Sequence, residues 1–106
     1  MTLTRDFKQT VVERVERDPD FAKALLDEAA TLFLSGEPDA ARLILRDLVN
    51  ATVGFENLAE LTHKPSKSLH RMLGPRGNPS TANFFEIVRV LQKRTRVKLS
   101  ISAKAA

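Results

Sequence analysis

The sequence contains no cysteine, no tryptophan and no tyrosine. Without thiols there is no disulfide, no thiolate metal ligand, and no cysteine nucleophile or redox couple. All six aromatic residues are phenylalanine. Modules for RNA or single strands usually stack bases on exposed rings. Here Phe21 and Phe84 fall on apolar stripes and read as core, and Phe85 is the ring expected at the surface. Nor is there an apolar run near the ~20 residues that span a bilayer. Arg5, Asp6 and Lys8 precede any apolar stretch, unlike a secretory leader. The expectation is a cytoplasmic protein without a membrane partner.

Catalytic signatures are missing too. The chain has no G-x-x-x-x-G-K-[ST], no G-x-S-x-G and no H-E-x-x-H. Gly74-Pro75-Arg76-Gly77 lacks the lysine of a phosphate loop and reads as a helix cap followed by a turn. His63 and His70 stand near Glu60, but Pro65 interrupts the helix between them and no second ligand pair follows. No metal, no cofactor and no enzymatic activity are expected.

What is present is a chain of 106 residues, the size of one small domain, with a net charge of +4. That charge is unevenly spread. Residues 1–53 hold seven basic against ten acidic residues, a balance of −3, and residues 54–106 hold ten against three, a balance of +7. No aspartate follows Asp47, and no acid of either kind lies in 61–85. A basic half points to a polyanionic partner, most simply nucleic acid.

Apolar spacing predicts a mainly α protein of five to six helices. Phe7, Val11, Val12 and Val15 suggest a first helix over 5–16. Asp18-Pro19 reads as an N-cap and first helical residue. Behind it, Phe21, Leu25, Ala29 and Leu32 form a stripe flanked by Ala24, Leu26 and Phe33, ending at Ser35-Gly36. Glu37-Pro38 opens a helix whose inner face is Ala41, Ile44, Leu45, Leu48 and Val49. Two short helices follow, one carrying Phe55, Leu58, Ala59 and Thr62, the other Leu69, Met72 and Leu73. Ser80 or Thr81 caps the last, with Phe84, Ile87, Val88 and Leu91 inward. Beyond Thr95 the alternation of Val97, Leu99 and Ile101 with Lys98, Ser100 and Ser102 has period two, which predicts a short β-strand.

Two short helices joined by His63-Lys64-Pro65 suggest a helix-turn-helix. With Leu69, Met72 and Leu73 inward, Ser66, Lys67, His70 and Arg71 point outward, with Ser68 near the edge. None is acidic, and each can donate a hydrogen bond. Lys67 and Arg71 suit guanine O6 and N7, while Ser66 and Ser68 suit phosphates or less specific base contacts. Lys64 in the turn and Arg76 in the next loop would flank the DNA backbone, and His70 reads as a surface donor. Duplex DNA is preferred over RNA.

The same stretch resembles the Xre/Cro-type antitoxins, the HigA-like addiction-module antidote proteins. The matching elements are Leu58-Ala59-Glu60, Ser68-Leu69-His70-Arg71-Met72-Leu73, Gly77-Asn78-Pro79, and Phe84-Phe85 through Leu91. The likeness covers about residues 40–101. It implies a lambda-repressor-like domain that binds its operator, usually as a dimer, and neutralises a basic RelE/HigB-like ribonuclease toxin. It places Lys67, Ser68, His70 and Arg71 on the recognition helix and Asn57 near a phosphate. It also implies a positive φ at His63, where the family usually has glycine. Pro65 stands where a capping serine or threonine is expected, so Ser66 is expected to take over the cap and shift the helix start by one residue.

The chain is thus expected to comprise an N-terminal helical segment (1–36), a helix-turn-helix domain with its strand (37–102) and a disordered tail (103–106). Val97, Leu99 and Ile101 would dimerise it by pairing the strand across subunits. The acidic first half would suit a basic toxin. Three other readings remain: a DNA-binding regulator without a toxin, an RNA-binding regulator, and a helical protein-interaction adaptor.

Overall fold

A computed structural model describes residues 13, 14 and 17–106. Residues 13, 14 and 17 are helical. The rest of the helix expected over 5–16 lies outside the described residues.

Helix α1 spans Pro19–Leu34, and its start follows the local chemistry. Asp18 Oδ1 accepts the Asp20 N–H at 3.1 Å, and proline at the first position gives up only an N–H that the helix would not use. At the far end Gly36 takes φ +80. The Glu37 N–H then reaches Leu32 O at 2.9 Å and the Gly36 N–H reaches Phe33 O at 3.2 Å, the paired bonds of a Schellman closure. Helix α2, Pro38–Ala51, follows at once and packs back along α1. Its buried face is the expected one, with Ala41, Leu45, Leu48 and Val49 inward and Ile44 half-buried.

The α1 face is rotated from the expected stripe. Ala22, Leu26 and Ala29 are buried, whereas Leu25 and Leu32 are only partly covered. Phe21 stays half-exposed and carries the Arg14 guanidinium 5.1 Å above its ring. Alanines at 22 and 29 take the inward positions, and spacing alone did not reveal that preference.

Gly54, at φ +77, turns the chain into α3, Phe55–Thr62, while its N–H returns to Val49 O at 2.7 Å. His63 ends α3 in the left-handed region at φ 55, ψ 39. A side chain there costs about 1–2 kcal/mol, whereas the extra chain entropy of glycine costs about 0.5–1 kcal/mol. His63→Gly is therefore expected to raise the urea midpoint, by a net gain of up to about 1.5 kcal/mol.

Helix α4 covers Ser66–Met72. The expected shift of its start does not occur. Pro65 itself holds the cap position at φ −62, ψ 138, and its carbonyl accepts the Leu69 N–H at 3.2 Å. The proline ring fixes the extended entry, so Ser66 lies inside the helix. Helix α5, Thr81–Thr95, starts where Ser80 Oγ accepts the Asn83 N–H at 3.2 Å.

One core joins helices α1 to α5. Leu26, Leu45, Leu48, Leu58, Leu69, Ile87 and Leu91 are fully buried within it, and Phe84 is buried beside them. Phe33 from α1 stacks on Phe84 from α5, with ring centroids 4.6 Å apart.

The expected C-terminal strand is absent. Residues 97–102 have no regular secondary structure, because a strand needs a neighbour to share its hydrogen bonds and no strand lies among the described residues. Val97 and Leu99 are partly buried against the core. The Val97 N–H meets Gln92 O at 3.1 Å, and the Leu99 N–H meets Gln92 Oε1 at 2.8 Å.

Candidate nucleic-acid interface

The basic residues singled out above gather around α3, α4 and the loop that follows. Leu69 and Leu73, both fully buried, anchor α4 to the core and settle which way it faces. Lys67, His70 and Arg71 are then exposed, while Ser66 and Ser68 are half-buried. Lys67 and Arg71 are four positions apart, one above the other on the helix surface. Lys64 lies half-buried in the preceding turn, and Arg76 is exposed in the following loop.

None of Lys64, Lys67, Arg71 or Arg76 forms an ion pair among the described residues; the pairs there are Arg14–Asp18 and Arg42–Asp39. Exposed cations without carboxylate partners remain free to neutralise phosphates. Among the described residues, no group of three or more His, Cys, Asp or Glu is placed to hold a metal ion. No described helix is long and apolar enough to cross a membrane.

Two expected contacts are already engaged within the chain. The His70 ring lies against Phe55, with centroids 3.9 Å apart and planes inclined by 18°. It covers a ring that is only 5% exposed, so the histidine braces the first residue of α3 against α4. Asn57 Nδ2 donates to Val53 O at 2.9 Å. Its amide therefore steadies the start of α3, and its Oδ1 has no partner among the described residues.

The loop after α4 is held from two sides. The Gly77 N–H closes a turn on Gly74 O at 2.9 Å, with Arg76 at the apex. Gly77 sits so close to α4 that a Cβ there would fall 2.1 Å from Met72 O and 2.5 Å from Arg71 O. From beneath, Arg42 of α2 donates Nη2 to Pro75 O at 3.4 Å and Nη1 to Asp39 Oδ1 at 2.9 Å. Arg42 is 5% exposed and its buried Nε has no partner among the described residues. In the sequence this arginine is one of the seven basic residues of 1–53. Its three-residue spacing from Asp39 was visible, but the Pro75 carbonyl lies 33 positions away.

Compared with known proteins, the chain matches no family model, no curated protein and no solved structure.

Proposed function

We propose that the protein is a helix-turn-helix transcriptional repressor of lambda-repressor-like type, with α3 as the supporting helix and α4 as the recognition helix in the major groove. The observation that carries this reading is the exposed, acid-free face of α4, with Lys67 and Arg71 outward over buried Leu69 and Leu73. In this reading Lys67 and Arg71 reach base edges or phosphates. Ser66, Ser68, Lys64 and Arg76 contact the DNA backbone. His70 and Asn57 serve mainly to fix the two helices against each other. No cofactor takes part, and the setting is cytoplasmic.

The sequence resemblance extends the proposal to an antitoxin that represses its own operon and restrains a basic RelE/HigB-like toxin. The acidic first half supports it: Asp20, Asp27 and Glu28 are exposed on α1, a surface suited to a basic protein. Copurification with the product of the neighbouring reading frame tests this half. Recovery of a small basic protein that arrests growth when expressed alone is the expected result.

The DNA half is tested by titrating the protein into fluorescent duplex from its own promoter at several salt concentrations. Four unpaired cations predict that log affinity falls with log salt at a slope of roughly −3 to −4 per subunit. Absence of binding at low salt would remove the repressor reading and favour a helical adaptor.

A further inference from the structure

Arg42 is a costly group for the place it occupies. It lies near the start of α2, buried alongside Ala41 and Leu45. A guanidinium carries five N–H donors and a full charge. Asp39, 2.9 Å away, is the carboxylate matched to it, and the Asp39 side chain is itself 86% exposed. The buried Nε has no partner among the described residues. A well-packed apolar side chain would fill such a site without desolvating a charge, often at no loss of stability. It could not supply the donor that Arg42 extends to Pro75 O at 3.4 Å.

The carbonyl at the end of that bond is the soft point of the loop. The Gly77 N–H on Gly74 O makes Pro75 and Arg76 the two central residues of a β-turn. The proline ring fixes its own φ, so the chief freedom left is rotation of the peptide between Pro75 and Arg76. Turning that peptide over exchanges a type I turn for a type II turn, which demands a positive φ at its second central residue. Arg76 does not have one: among described residues other than glycine, positive φ occurs at His63 and Arg96. The turn thus holds the orientation in which the Pro75 carbonyl meets Arg42. The same peptide leads directly into Arg76, exposed at the apex.

We propose that Arg42 is a positioning residue for DNA binding. By holding the Pro75 carbonyl it locks the 74–77 turn in one peptide orientation, and so fixes where Arg76 meets the phosphate backbone. The anchor itself stands on the fold, and its use rests on the repressor reading above. Arg42 is too covered to touch DNA, so its effect passes through Arg76. A cation on a fixed root loses less freedom on reaching a phosphate than one on a mobile loop.

Two measurements on the full chain test this. The first is limited trypsin digestion read by mass spectrometry, with no DNA present. Arg42→Met keeps an apolar stem and removes every donor. It is expected to speed cleavage after Arg76 by roughly tenfold. Cleavage after Arg89, inside α5, should be unchanged. The cut at Arg89 reports opening of the whole fold, and the cut at Arg76 opening of the loop alone. Arg42→Lys keeps the charge on a single flexible head. It should show the same selectivity at smaller size, and it decides the question if the methionine variant does not fold. The second measurement is fluorescence anisotropy with promoter duplex. Arg76→Ala and Arg42→Met are each expected to weaken binding by roughly threefold or more. Combined, they should weaken it no further than Arg76→Ala alone. Equal acceleration at both cuts, or none after Arg76, overturns the anchor. Losses that add in the double variant overturn its action through Arg76. If the wild-type chain binds no duplex, the use falls with the repressor reading, and digestion still decides the anchor.

Discussion

Exchanging Lys67 and Arg71 together for glutamate is expected to weaken duplex binding by roughly a hundredfold or more. Two effects combine. Each lost contact to a base edge or phosphate is worth about 1–3 kcal/mol. Each new carboxylate also faces the phosphate backbone with like charge. Both side chains are exposed and unpaired, so the fold and melting temperature should scarcely change. The control is Lys23→Glu with Lys93→Glu, which alters net charge equally on exposed positions of α1 and α5. Fluorescence anisotropy with promoter duplex should show a far smaller loss there. If the control loses as much, attraction is spread over the whole surface and α4 has no special part.

Gly77→Ala should cost about 2–3 kcal/mol of stability, the upper range for forcing an extra methyl into packed structure. The added Cβ would meet Met72 O at 2.1 Å, Arg71 O at 2.5 Å and the Met72 carbonyl carbon at 2.6 Å. All three are backbone atoms, so no side chain can swing aside. Either the turn carrying Arg76 must lift or α4 must lose its last carbonyl geometry. Gly36→Ala provides the contrast, because its Cβ would meet nothing within 4 Å and only its φ of +80 is unfavourable. That variant is expected to lose about 1 kcal/mol. Urea unfolding of both separates steric from dihedral cost, and equal losses would refute the close approach at Gly77.

The helices were largely legible because their signals are local. Asp18-Pro19, Gly36 and Ser80 each act locally: the Asp18 and Ser80 side chains cap helix starts, and glycine supplies the left-handed turn at 36. The left-handed turn at His63 was anticipated from the family pattern, and the backbone adopts it. Features that depend on distant neighbours were not legible. Arg42 was invisible as a buried group because its carbonyl partner arrives from beyond α4. His70 looked like a free donor until the fold brought Phe55 against it. The period-two pattern of 97–102 was genuine, but it encodes which side chains turn inward and supplies no second strand. The α1 stripe failed for another reason: small residues are preferred at close helix contacts, and apolar spacing weighs large ones more heavily.

The Schellman closure at Gly36 bears on the order in which the molecule assembles. It joins α1 and α2 through Ser35, Gly36 and Glu37 alone, so their mutual packing requires closing only a small loop and carries little entropic penalty. The stack of Phe33 on Phe84 has the opposite character, since all of α2, α3 and α4 lies between the two rings in sequence. Contacts of that range are the slow ones in folding. The acidic hairpin is therefore the natural early unit during synthesis. The face that seats α5 and residues 97–102 is completed later, once α5 has been made.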